Sequence, residues 1–237
     1  MNRFYMDAAL TIHDHVILSE TVFHHWCRVL RGKIDDQAIL FNGQGGEYLV
    51  RLIDINKKNA SVYIEQFFAD DRTLAVNVTI GQVMSKGDRM DYAIQKATEL
   101  GVHSIQLLTS ERCEMRLKYD RDQKKFDHWQ GIAIAACEQC GMNRIPKILA
   151  PLAVETWVQQ HQADLKLVMA LSQEKFSLPT PLPQNIAVLI GPEGGLSDTE
   201  IHTANQYDFQ SWTIGSRVLR TETAPIVALS IFNLLCQ

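Results

Sequence analysis

Two stretches of this chain, 165–171 and 186–190, are apolar almost without interruption. A strand with one wet face alternates polar and apolar residues. A continuous apolar run is expected where helices cover both faces of a parallel sheet. The rhythm around these runs agrees. From Leu74 onward, strand patterns at 76–83 and 104–108 alternate with helix patterns at 88–100 and 126–140. In the first helix Ile94, Ala97 and Leu100 share a face; Asp88 is placed to cap it and Gly101 to end it. In the second, Phe126, Trp129, Ala133, Ala136 and Cys140 form the apolar stripe and Gly141 the stop. Ser197 and Glu200 have capping-box spacing. A short strand is expected at 212–214. A final helix at 226–235, led by Thr223 and Pro225, is apolar nearly all round and so is expected to be buried, either in the core or against a second subunit. The pattern predicts an α/β domain with a mostly parallel sheet.

Residues 1–68 follow a different rhythm. The segments 37–42, 47–55 and 60–68 read as strands, with Asn56-Lys-Lys-Asn59 as a hairpin turn, and only 21–30 looks helical. A small β-barrel is expected there. Polar Ala69-Asp-Asp-Arg-Thr73 marks a linker, so the domains are expected at 1–72 and 73–237.

Composition narrows the function classes. Hydrophobic residues make up 46% and charged residues 21%, as in an ordinary globular protein. No membrane span and no secretory leader are expected, which points to the cytoplasm. Five scattered cysteines do not form a disulfide framework. Cys137 and Cys140 have CxxC spacing but lie in a helix with no partner pair, so no metal site is expected. A net charge of −4 is not the footprint of a bulk nucleic-acid binder. Between 85 and 125 nine basic residues, Lys86, Arg89, Lys96, Arg112, Arg116, Lys118, Arg121, Lys124 and Lys125, stand against seven acidic ones, which makes either a local basic surface or a solvated mixed-charge face.

Two turns carry the chemistry. Ile190-Gly191-Pro192-Glu193-Gly194-Gly195 follows the second apolar run, where a backbone free of side chains can approach a ligand closely. It is neither a P-loop, since no Gly-Lys-Ser/Thr follows, nor GxGxxG. A glycine turn without lysine is either a structural turn or a site for a ligand held by backbone and shape, such as an adenosine cofactor lacking a pyrophosphate. The second turn, Ile214-Gly215-Ser216-Arg217-Val218-Leu219-Arg220-Thr221-Glu222-Thr223, offers two arginines beside a glutamate. They form either a weak surface pair or an anion clamp.

The ordered set of Arg28-Val-Leu-Arg31 with Phe41-Asn-Gly43, Asp91 to Gly101, Ser110-Glu-Arg-Cys113, Ala135 to Gly141 with Asn143, Ile190 to Ser197 and Arg217 to Thr223 resembles the RsmE family. That family comprises 16S ribosomal RNA uridine N3-methyltransferases of the SPOUT (trefoil-knot) superfamily. Tyr92 and Ser216 depart mildly, where the family often has Trp and a basic residue or Pro. The resemblance implies a PUA-like N-terminal barrel, a knotted α/β domain, a homodimer and 16S rRNA in the 30S subunit as substrate. It also implies S-adenosylmethionine (SAM) held by Leu171, Ser172, Ile190, Gly191, Pro192, Gly194, Gly195, Ile214, Gly215, Val218, Leu219 and Arg220. Arg220, Arg217, Glu222 and Glu193 are the expected catalytic candidates, and Arg28, Arg31, Arg112 and Asn143 the RNA-binding ones, with Glu138 beside them.

Overall fold

A computed structural model describes residues 1–113, 123–172 and 176–236. The chain forms two compact units. The first comprises Met1–Thr73 and Cys137–Ile145, and the second Leu74–Ala136 and Pro146–Gln237. The return of 137–145 to the first unit goes beyond a single boundary near residue 72.

The first unit holds β1 (Arg3–Tyr5), β2 (His15–Ile17), α1 (Glu20–Phe23), β3 (Gln37–Phe41), β4 (Glu47–Ile55) and β5 (Ala60–Phe68). They make a five-stranded sheet in the order β1-β3-β4-β5-β2. The β4–β5 hairpin closes because Asn56 Oδ1 accepts the amide hydrogens of Lys58 and Asn59, both at 2.9 Å. Helix α1 runs into a π-helical turn, His24–Val29, which seats Trp26 in the core stacked on Phe4 at 5.4 Å. Leu40, Val50, Leu52, Val62 and Ile64 complete that core.

A polar cluster closes the unit. Arg3 pairs with Glu47 and donates to Asn143 Oδ1 at 2.6 Å. Arg72 donates to Glu47 at 3.0 Å and to the Gly141 carbonyl at 2.8 Å. Asn143 donates in turn to the Asp70 carbonyl at 2.8 Å. Burial raises the Glu47 carboxyl pKa, but hydrogen bonds and charge from Arg72 and Arg3 outweigh it and hold it below the ordinary value.

The second unit is a six-stranded, all-parallel sheet in the order β11-β9-β10-β6-β7-β8. Its strands are β6 (Asn77–Val83), β7 (Ser104–Thr109), β8 (Lys147–Ala153), β9 (Leu165–Val168), β10 (Asn185–Ile190) and β11 (Gln210–Ser211). Its helices are α2 (Asp88–Glu99), α3 (Gln123–Cys140, whose last turn counts with the first unit), α4 (Val154–Gln160), α5 (Asp198–Gln206) and α6 (Ala224–Leu235). Strand β10 sits inside the sheet, and Ile186 through Ile190 are buried, as a strand covered on both faces must be.

Local expectations hold in part. Ser197 and Glu200 form the capping box of α5. The N-cap of α2 is Gly87, not Asp88, which instead stands in the first turn and favours the helix dipole. The strand expected at 212–214 is displaced to Gln210–Ser211. The first apolar run leaves the sheet after Val168. Thr223 is the N-cap of α6 but makes no side-chain cap bond. Cys137 rather than Cys140 is the fully buried cysteine of α3, and burial pushes its thiol up to about 12.

Candidate active site

Strands β11, β9, β10 and β6 are neighbours and run parallel, so their C-terminal ends lie along one edge of the sheet. Ligands of α/β proteins bind at such an edge. The segments that leave it are 169–172 after β9, the glycine turn after β10, the arginine turn after β11 and the start of α2 after β6. Together they line a cavity of about 570 Å³, within the range of small-molecule sites.

The walls are largely apolar: Met169, Ala170, Leu171, Ile190, Pro192, Leu196, Ile201, Trp212, Ile214, Val218, Leu219 and Ala224. Trp212 is fixed from behind by stacking on Phe232 at 5.5 Å. At Gly191 a methyl group would meet Leu196 Cγ and its amide nitrogen at 3.0 Å, so any side chain there pushes the wall back by a few tenths of an ångström. Two threonines join the segments. Thr213 Oγ1 donates to the Ala170 carbonyl at 2.9 Å and accepts the Ser172 amide at 2.8 Å. Thr221 Oγ1 donates to the Gly191 carbonyl at 2.7 Å and accepts from Gln82 at 2.9 Å.

Charge collects at the rim. Arg217 and Arg220 are exposed and line the cavity. Arg89 lines it too and reaches Glu193 at 2.5 Å. Glu222 is different. Its side chain is 14% exposed, Arg220 stands 4.0 Å from Oε1, and Oε2 is buried without a hydrogen bond among the described residues. An orphaned carboxylate oxygen in a cavity wall is costly unless a ligand donates to it.

Of the expected cofactor residues, Leu171, Ile190, Gly191, Pro192, Gly195, Ile214, Val218, Leu219 and Arg220 line the cavity. Ser172, Gly194 and Gly215 do not; Ser172 and Gly194 shape the turns behind it, the Gly194 carbonyl accepting from Arg112 at 2.9 Å. All four catalytic candidates border the cavity. The RNA-binding candidates are not brought together there. Arg112 is engaged with the glycine turn. Arg28 and Arg31 are exposed in the first unit, where Arg28 lies over the Phe23 ring and donates to the Lys57 carbonyl. Asn143 lies away from the surface. It is fully buried with its amide used at both ends, by Arg3 and the Asp70 carbonyl, in the polar cluster of the first unit. Glu138 likewise accepts the Tyr5 amide at 2.9 Å and does not line the cavity. Arg116, Lys118 and Arg121 of the basic stretch lie outside the described residues. Arg89, Thr213 and Gln82 carry no motif in the sequence; only the end of a neighbouring strand could have pointed to Arg89 and Gln82. Among the described residues no group of His, Cys, Asp and Glu could hold a metal ion, and no helix is long and apolar enough to cross a membrane.

Comparison with known proteins agrees with this geometry. Residues 72–233 match the family model of an RNA methyltransferase domain, and 18–65 that of an RNA methyltransferase PUA domain. The ribosomal RNA small subunit methyltransferase E of Buchnera aphidicola is 34% identical over 98% of this chain and 95% of its own. That of Bacillus subtilis is 32% identical over 89% and 86%. A crystal structure of the Neisseria gonorrhoeae enzyme of the same name, bound to S-adenosyl methionine, superposes with a TM-score of 0.92 at 34% identity, covering 99% of this chain and 98% of that one.

Proposed function

Because the chain belongs to the ribosomal RNA small subunit methyltransferase E family, we propose that its cavity takes SAM and directs methylation of N3 of a uridine in 16S rRNA. The observation that carries this reading is the cavity: among the described residues it has apolar walls, no lysine, one orphaned carboxylate oxygen and an exposed arginine rim. These features fit SAM. The glycine wall admits a flat adenosine against backbone, the apolar walls cover it, and Glu222 Oε2 offers an acceptor for a hydroxyl or amine. When bound, SAM supplies an electrophilic methyl group.

The chain's own residues do the rest. The segments at the sheet edge are joined by Thr213 and Thr221, so the walls are preorganised and the reacting groups are held for an in-line transfer. N3 of uracil must lose its proton to become nucleophilic. In this reading Glu222, largely buried in the wall, takes it. Arg220 and Arg217 at the rim stabilise the resulting uracil anion or hold a flanking phosphate. Glu193 is engaged by Arg89 and orients that arginine. The target base has to be splayed from its stack to reach this depth. The first unit adds RNA contacts through Arg28 and Arg31. The substrate is the assembled 30S particle, and the protein acts in the cytoplasm as a homodimer. The dimer is supported by α6, whose Leu234 and Leu235 are 69% and 40% exposed.

The deciding experiment offers small subunits lacking the modification, and free 16S rRNA, to the enzyme with labelled SAM. Methyl transfer that stops reverse transcriptase at one uridine supports the reading. Transfer to a ribose, or none at all, refutes it.

A further inference from the structure

Gln82 is the point where the second unit's sheet meets the cavity walls. It stands in β6 directly beside Ile190 of β10, and its side chain is buried. Its amide nitrogen faces two oxygens, the Val83 carbonyl at 3.2 Å and Thr221 Oγ1 at 2.9 Å. A carbonyl can only accept, so Val83 fixes which end of the amide points this way. The Thr221 hydroxyl must then accept from Gln82, and its single proton is left for the Gly191 carbonyl at 2.7 Å. The chain of donors therefore has one direction: Gln82 to Thr221 to Gly191.

This chain crosses the site. Gly191 belongs to the glycine wall, and Thr221 lies between Arg220 and Glu222 of the arginine turn; all four border the cavity. We infer that Thr221, oriented by Gln82, is the positioning residue that sets the separation of the two cofactor walls and the height of Glu222 above them. The inference rests on the SAM reading of the cavity. One hydroxyl serves both walls, so losing it leaves the Gly191 carbonyl and a Gln82 N–H unpaired at once. Because Thr and Val have nearly the same shape, Thr221→Val removes the bond without opening a void.

The test is calorimetry with SAM, steady-state methylation and thermal melting on the full-length protein. Thr221→Val is expected to raise the SAM Kd and KM about tenfold, while Thr221→Ser stays within about twofold of the native protein. Gln82→Met is expected to raise Kd severalfold, and the double variant to lose no more than Thr221→Val alone, because the two residues act as one unit. A merely structural role would move only the melting temperature. A folded Thr221→Val or Gln82→Met protein with native Kd and KM overturns the inference, as does a serine variant as weak as the valine one. Native protein that binds no SAM at about millimolar concentration overturns the cofactor reading itself, and the positioning role with it.

Discussion

The guanidinium of Arg89, in the first turn of α2, stands 2.5 Å from the carboxylate of Glu193 in the glycine turn, and both side chains border the cavity. The pair is partly exposed, so it is worth at most about 1 kcal/mol of stability. Its effect is on roles. Glu193 already has a partner, whereas Glu222 has a buried oxygen with none among the described residues. Glu222→Gln is therefore expected to lower kcat about a hundredfold or more, and Glu193→Gln only a few fold. Single-turnover methylation with saturating SAM measures both. Equal losses would remove the distinction.

Two glycines of the same turn separate space from backbone conformation. A side chain at Gly191 meets Leu196 at 3.0 Å, whereas at Gly195 it meets nothing within 4 Å but has a φ of +69°. Gly191→Ala is expected to weaken SAM binding at least tenfold by displacing the wall. Gly195→Ala is expected to cost about 1 kcal/mol of stability with a smaller change in affinity. Calorimetry and melting on the same samples distinguish them.

Arg220 is 81% exposed and stands 4.0 Å from its nearest acid, so it contributes little to folding. Arg220→Ala is expected to leave the melting temperature within about a degree while lowering methylation at least tenfold. If the residue grips a phosphate, RNA affinity also falls and its salt dependence becomes shallower. Full activity and unchanged RNA affinity would exclude the role.

In the first unit, Glu47 links stability to pH. Its folded pKa lies below the ordinary 4.5. Its contribution is therefore present above that value and is lost as pH falls through the depressed one. Glu47→Gln is expected to cost about 3 kcal/mol at neutral pH, because Arg3 is left buried without its counter-charge, and to show a flatter acid limb. Urea melts between pH 3 and pH 7 test this. Asn143→Leu is expected to cost about 1–3 kcal/mol with no change in RNA affinity of the folded protein.

What the sequence reveals follows from where the signal lies. The hairpin strands Glu47–Ile55 and Ala60–Phe68, and the capping box at Ser197, rest on local alternation and spacing, and they stand where the pattern puts them. Strand β8, Lys147–Ala153, is hard to read because it is an edge strand, half exposed and interrupted by Pro151. The displaced β11 lasts only two residues, Gln210–Ser211, too short for any period. The walls of the site were legible as glycine and arginine turns, but their fastening was not. Gln82 and Thr221 are 139 positions apart, and only the strand order brings them together. The bond between Arg3 and Asn143 is invisible for the same reason: its partners stand 140 positions apart.

The segment Cys137–Ile145, which belongs with Met1–Thr73, has a consequence for biosynthesis. When a nascent chain has delivered its first 73 residues, Arg3, Glu47 and Arg72 have emerged without Gly141 and Asn143. Arg3 and Arg72 can already pair with Glu47, but the polar cluster is completed only when all of α3 and the turn beyond it have left the ribosome. An N-terminal fragment cut at the linker should therefore be a poor stand-in for the module inside the whole protein.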